Sequence, residues 1–246
     1  MKLKNKREFF IGIDLGWKEK KSTGICILEQ RKGTLFPSEL WCKECQVIIG
    51  GETLRKLSPF LKNTKVIAID APLTKGRGKG DMRLYEKFLS TKIFKEEKVS
   101  PIPPALMSKL CIFARELKRK LEKRGFVLDR PQNNNKVVLW GKNLIEVFPT
   151  LTKKLCNDYI FQKLFGKDSK HFFCQVEDQK SALLCASLAY LHFHFQTRYL
   201  GYKDGFLFLP EMSFWTKEWR QKFYQAWMAR PRLKYHYLVT NIFEKK

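Results

Sequence analysis

Two short apolar runs, each ending on an aspartate, constrain the fold of this chain more than any other feature. Phe9, Phe10, Ile11 and Ile13 carry the β-branched and aromatic bias of a buried strand, and Asp14 closes the run. Gly16 follows and leaves room for a close approach of backbone or ligand. The pattern returns at Val66-Ile67-Ala68-Ile69-Asp70, closed by Ala71-Pro72. A charge set among apolar side chains is costly unless something offsets it. Two such strands therefore predict that Asp14 and Asp70 meet at one sheet edge, where paired carboxylates suit a divalent cation.

The chain has 246 residues, enough for one large domain with an appendage. Its 48 basic residues against 24 acidic ones give a formal charge of +24, which points to polyanionic partners. No apolar run approaches the roughly 18 residues that span a bilayer, and the charged start lacks the apolar core of a signal peptide. The expectation is a cytoplasmic protein directed at nucleic acid and not at a membrane; a homodimer is one assembly left open, the oligomeric state not being fixed by the sequence. Seven cysteines, an odd number, fit a reducing compartment. Cys42 and Cys45 could join His171 and Cys174 in a Cys3His zinc site; ordinary reduced thiols suit their wide separation in sequence better.

Periodicity predicts strands over about 8–15, Thr23–Leu28, Leu35–Cys42, Lys65–Asp70, Phe126–Leu128, Leu144–Phe148 and Gly205–Pro210. Helices are predicted over Glu52–Leu61, Asp81–Leu89, Leu106–Arg124, Leu151–Phe165 and Glu177–Thr197. That order describes an α/β fold, a mixed sheet flanked by helices. The main body covers residues 1–210 and a basic, aromatic, helical extension covers 211–246. In the extension Trp215, Trp219, Phe223, Ala226 and Trp227 keep helical spacing, and Pro231 ends the run. A stripe this regular is what a helix docked on the body requires; the competing reading stacks these rings on unpaired bases.

In the helix from Glu177, Asp178, Ser181, Ala182, Cys185 and Ala189 share one face. Asp178 stands in the first turn, where a carboxylate serves either the helix dipole or a ligand. Asp14, Asp70 and Asp178 make a hard-oxygen set suited to Mg²⁺ or Mn²⁺, with Glu146 as a fourth catalytic candidate. Two such ions can activate water and stabilise the leaving oxygen of a phosphodiester. Between Ala71 and Gly80, glycines alternate with Lys75, Arg77 and Lys79. The order is not that of a P-loop, and these three cations, with Arg83, are expected to contact phosphates.

The segments GIDLGW, AIDAPLTKG, GDMRLYEKFL, PIPP, IEVFPT, EDQKSALLCASLAY and DGFLFLP occur in this order over about residues 8–210. The set resembles a family of predicted nucleases, domain of unknown function 429, and more distantly the bacterial Holliday-junction resolvases. The resemblance implies an RNase H-like fold, with metal-binding acids on the first strand, the fourth strand and the last helix, matching Asp14, Asp70 and Asp178. One position departs. Where many relatives have an acid followed by alanine, this chain has Ser181-Ala182, which implies weaker hold on a second metal; Gly80-Asp81-Met82-Arg83 also lacks the usual cysteine before its aspartate. The leading expectation is a metal-dependent nuclease acting on structured DNA or RNA. Its alternatives are a nucleic-acid-binding module with a decayed site, and an ATP-using relative of actin and the sugar kinases, whose chains also open on GIDLG. Ala71-Pro72 stands where those ATP-binding chains need glycines.

Overall fold

A computed structural model of the chain describes residues 7–16, 22–44, 51–77, 79–131, 141–166, 176–231 and 235–244. The two aspartate-terminated runs become β1 (Glu8–Asp14) and β4 (Thr64–Asp70), adjacent parallel strands in the middle of a six-stranded sheet. With β2 (Ser22–Arg31), β3 (Thr34–Glu44), β5 (Val127–Leu128) and β6 (Asn143–Glu146), the strand order is β3-β2-β1-β4-β6-β5. Strand β2 pairs antiparallel with both β1 and β3, while β1, β4, β6 and β5 are mutually parallel. Lys32 and Gly33, with φ of 48° and 84°, make the two-residue β2–β3 turn, whose backbone twist matches that of the strands it joins.

Period-two alternation assigns each face of the sheet to its own helices. Ile11, Ile13, Ile67 and Ile69 pack with α1 (Gly51–Leu61) and α4 (Ser108–Glu122), through leucines such as Leu57 and Leu117. Phe10, Val66 and Ala68 pack with α7 (Glu177–Phe193). Between α1 and α7 in the chain lie α2 (Leu84–Leu89), α3 (Lys92–Glu96), α5 (Pro149–Cys156) and α6 (Tyr159–Phe165).

Helix α7 sits unusually close to the strands. A Cβ at Gly12 would stand 2.1 Å from the Ala182 carbonyl oxygen and 2.2 Å from the Ala186 nitrogen, and one at Gly24 would stand 2.0 Å from the Asp178 carbonyl oxygen. Glycines on the sheet and alanines on the helix make that approach sterically allowed. It fixes α7 over β1 and β2, with its N-terminal turn at the level of Asp14.

A second, smaller sheet has the order β8-β7-β9, from β7 (Thr197–Tyr202), β8 (Gly205–Pro210) and β9 (Val239–Thr240). The last helix, α8 (Lys217–Ala229), is capped by the Thr216 hydroxyl, which accepts the Trp219 N–H. Its stripe is buried on the main body: Phe223 lies 5.9 Å from Phe88 and 5.7 Å from Phe94 between ring centroids. One expected boundary is displaced. The helix predicted to reach Thr197 stops at Phe193, and Phe195, with φ of 57°, turns the chain into β7. The helical segments predicted over Leu151–Phe165 are two helices, divided at Asn157, whose φ of 48° breaks the helical backbone. Among the described residues, no helix is long and apolar enough to cross a membrane.

Two measurements probe this packing. Gly12→Ala pushes a methyl into the backbone of α7 and is expected to lower unfolding free energy by about 3 kcal/mol, the upper end for overpacked sites, as read from the urea midpoint. Phe223→Ala empties a fully buried position and is expected to cost about 3–5 kcal/mol; a change below roughly 1 kcal/mol, the range of surface substitutions, contradicts docking of the tail.

Candidate active site

The parallel register sets Asp14 opposite Asp70. Neighbouring strands lie about 4.8 Å apart, so the carboxylates emerge side by side at the C-terminal ends of β1 and β4. Both residues are half-buried and line a pocket of about 330 Å³, together with Ala71, Pro72, Tyr85 and Glu146. Alternation turns them to the α7 side of the sheet, the side of Gly12 and Ala68. Cys185 of α7 lies beneath them. Burial holds its thiol well above the ordinary range, and the Asp70 and Asp14 charges push it further up. Cys185, fully buried against Gly12, packs the contact between helix and sheet.

Glu146 does not join the pair. Its register partner is Ile69, one residue out of phase with Asp70, and a one-residue offset in a strand exchanges faces. Its carboxylate accepts hydrogen bonds from Arg83 Nη1 at 2.5 Å, from the Leu73 N–H at 2.9 Å and from the Tyr85 hydroxyl. Arg83 also donates through Nη2 to Glu86 at 2.5 Å. Burial opposes the Arg83 charge, but Glu146, Tyr85 and Glu86 together hold its pKa well above the ordinary value. The group is thus a fixed guanidinium clamped between two buried carboxylates. The expectation that Arg83 meets phosphates from solvent is corrected here. Its side chain is only 1% exposed, and it braces the turn after β4 instead of reaching outward.

Asp178 stands in the first turn of α7 beside Gly24, the register partner of Asp14. Its carboxylate accepts the Ser22 hydroxyl, and its backbone rests on Gly24 of β2. Ser181, one turn before Cys185, accepts a hydrogen bond at 3.4 Å from Lys153 of α5, which also pairs with Glu177. A lysine ammonium thus stands at the helix position where a further acid was looked for. Among the described residues no three His, Cys, Asp or Glu side chains converge as a metal-binding group. Asp14 and Asp70 alone still fit Mg²⁺ or Mn²⁺, ions commonly held by one or two carboxylates with water and substrate phosphates filling the remaining positions. Of the zinc candidates, Cys42 lies in β3, while Cys45, His171 and Cys174 fall outside the described residues.

The stretch that leaves Asp70 continues into a second depression. Asp70, Ala71 and Pro72 line the carboxylate pocket; Leu73, Thr74, Lys75 and Arg77 line a groove of about 760 Å³. Lys79 is exposed in the neighbouring single 3-10 turn Lys79–Asp81, outside the groove lining. The groove's other cations come from distant segments: Lys87 of α2, Arg115 and Lys118 of α4, Arg130 after β5, and Lys203 in the β7–β8 turn. Sequence reasoning missed this set, although the basic character of α4 is plain in the sequence. No family model matches the chain, and neither does any curated protein or solved structure.

Replacing Arg83 by methionine leaves Glu86 and Glu146 buried without their shared cation. Breaking a buried pair from one side costs about 3–5 kcal/mol, and the Arg83→Met protein is expected to melt well below the parent. A melting temperature unchanged within error contradicts the bracing role.

Proposed function

We propose that the chain is a divalent-metal-dependent nuclease with an RNase H-like fold, hydrolysing phosphodiester bonds in structured DNA or RNA. The observation that carries the reading is the in-register pair Asp14–Asp70 at the ends of two parallel strands, lining a pocket beside a cationic groove. The order β3-β2-β1-β4-β6-β5, with its antiparallel leading half, supports the fold likeness that the sequence motifs suggest. Asp14 and Asp70 would hold one Mg²⁺ or Mn²⁺. Such an ion, when bound, supplies Lewis-acid polarisation of a phosphoryl oxygen and lowers the pKa of a coordinated water.

The protein's own contribution is to orient. Asp14 and Asp70 present oxygens from rigid strands, which positions a phosphate more accurately than loop residues do. Arg83, Glu146 and Tyr85 fix the turn at Leu73, which forms the wall between pocket and groove. A second reading, a nucleic-acid-binding module without cleavage, is favoured by one observation: Lys153 occupies the neighbourhood of Ser181, where the family resemblance leads one to expect a further acid.

The test is cleavage of labelled duplex, hybrid, junction and single-stranded substrates with Mg²⁺ or Mn²⁺. Asp14→Asn and Asp70→Asn are each expected to cut the rate by about 100-fold or more, because metal-borne stabilisation is worth several kcal/mol and each 1.4 kcal/mol is tenfold. Binding measured in EDTA should persist in both variants, because phosphate contacts by Lys and Arg dominate affinity. Undiminished cleavage by Asp14→Asn overturns the catalytic assignment. Tight binding with no cleavage of any substrate by the parent protein selects the binding-module reading.

A further inference from the structure

We propose that the groove beside the carboxylate pocket binds an unpaired nucleic-acid strand, with Tyr202 and Tyr237 stacking its bases while the surrounding cations track its phosphates. Only the destination of that strand, the Asp14–Asp70 pocket, rests on the nuclease reading; the binding site stands on its own geometry.

The electrostatics come first. Seven cationic side chains line the groove against one carboxylate, Asp204. Asp204 is turned inward, where it accepts the Leu84 N–H at 2.9 Å, and burial raises its pKa. Lys75 pairs with Asp81 and Lys118 with Glu122; the other five cations have no carboxylate partner among the described residues. A concentration of like charge on one concave surface, drawn from five segments of the chain, opposes folding unless a polyanion offsets it.

The aromatic pair selects the kind of polyanion. Tyr237 is 60% exposed, and its ring centroid lies 6.0 Å from that of half-buried Tyr202, with the planes tilted by 42°. Exposed rings beside a basic track are the means by which single strands are held, because every base offers a π-face once unpaired. A duplex hides those faces inside its own stack and presents only edges and backbone. Both rings are positioned by pairing: Tyr202 ends β7, and Tyr237 lies two residues before β9, which pairs with β7.

The path to the pocket is short. Thr74 is four positions beyond Asp70, at most roughly 14 Å of extended chain, and both depressions are lined by this one stretch. A substrate with an unpaired arm could thus lie across the Leu73–Thr74 wall with a phosphate at the carboxylates.

The experiment is fluorescence anisotropy on the full chain, in EDTA so that no cleavage intervenes. The probes are labelled oligo(dT) and oligo(U) of about 16 nucleotides, the upper site size of a single-strand module, and a blunt duplex of equal length. The single strands are expected to bind more tightly than the duplex. Tyr202→Ala with Tyr237→Ala should weaken single-strand binding by about 25-fold or more, roughly fivefold per lost stack, leave the duplex unchanged, and be reversed by phenylalanine at both positions. Arg115→Ala and Lys203→Ala should each reduce the salt slope by about 0.7 for single strands. Equal affinity for duplex, or a correctly folded double-alanine variant that binds single strands as the parent does, overturns the proposal. Because no metal is present, the result is independent of whether Asp14 and Asp70 catalyse anything.

Discussion

Helix α7 meets the backbone of β1 and β2 with no side chain between them at Gly12 and Gly24. That close approach has consequences in both directions. It seals the α7 side of the sheet with Ala182, Cys185, Ala186 and Ala189 at full burial, and it fixes where the helix N-terminus falls relative to the strand ends. Asp178 is thereby held over β2 at Gly24, the register partner of Asp14. A longer residue at either glycine would lift the helix and change which side chains face the carboxylates.

The other end of the site depends on a buried charge network. Arg83 has two carboxylate partners, Glu86 and Glu146, all within a few per cent of complete burial. Desolvating three ionised groups is costly, and such a network persists only when its hydrogen bonds are satisfied. Here the Leu73 N–H, the Tyr85 hydroxyl and the Thr74 hydroxyl add to it, while Arg83 Nε is buried with no hydrogen-bond partner among the described residues. Gly205 adds a steric condition, since a Cβ there would fall 2.5 Å from Thr74 Oγ1 and 2.9 Å from Arg83 Cδ. The β7–β8 hairpin, the loop after β4 and the start of α2 are therefore locked together around one guanidinium. That locked wall separates the carboxylate pocket from the cationic groove.

Much of this was legible in the sequence, and the failures share a cause. The strand ends carrying Asp14 and Asp70 and the stripe of the final helix were readable because alternation and helical spacing are local patterns. Glu146 looked equivalent to the aspartates because its strand is equally apolar, but its role depends on register against β4, which is a relation between strands. Arg83 stands in a run of basic residues and reads as another surface cation; nothing local marks it as the one whose partners lie at Glu86 and Glu146. The β7 strand was not predicted, and the preceding helix was carried to Thr197 because no glycine or proline stands between Phe193 and Thr197 to mark its end. Of the groove, only Lys75 and Arg77 were readable from local pattern, since its other cations converge only when distant segments are folded together.

The tail, which lies outside the motif likeness, is bound into the body at two levels. Helix α8 fills the aromatic cluster around Phe88 and Phe94, while β9 extends the small sheet by pairing Val239 and Thr240 with Gly201 and Leu200. Asn241 secures that edge by accepting the Tyr199 N–H at 2.8 Å through its side-chain oxygen. These contacts set the position of Tyr237 against Tyr202. The extension is thus not an independent appendage with a separable binding role. Its buried rings hold the chain in place so that one exposed ring can complete a surface otherwise built by the main body, and the same residues that stabilise the fold determine the shape of the groove.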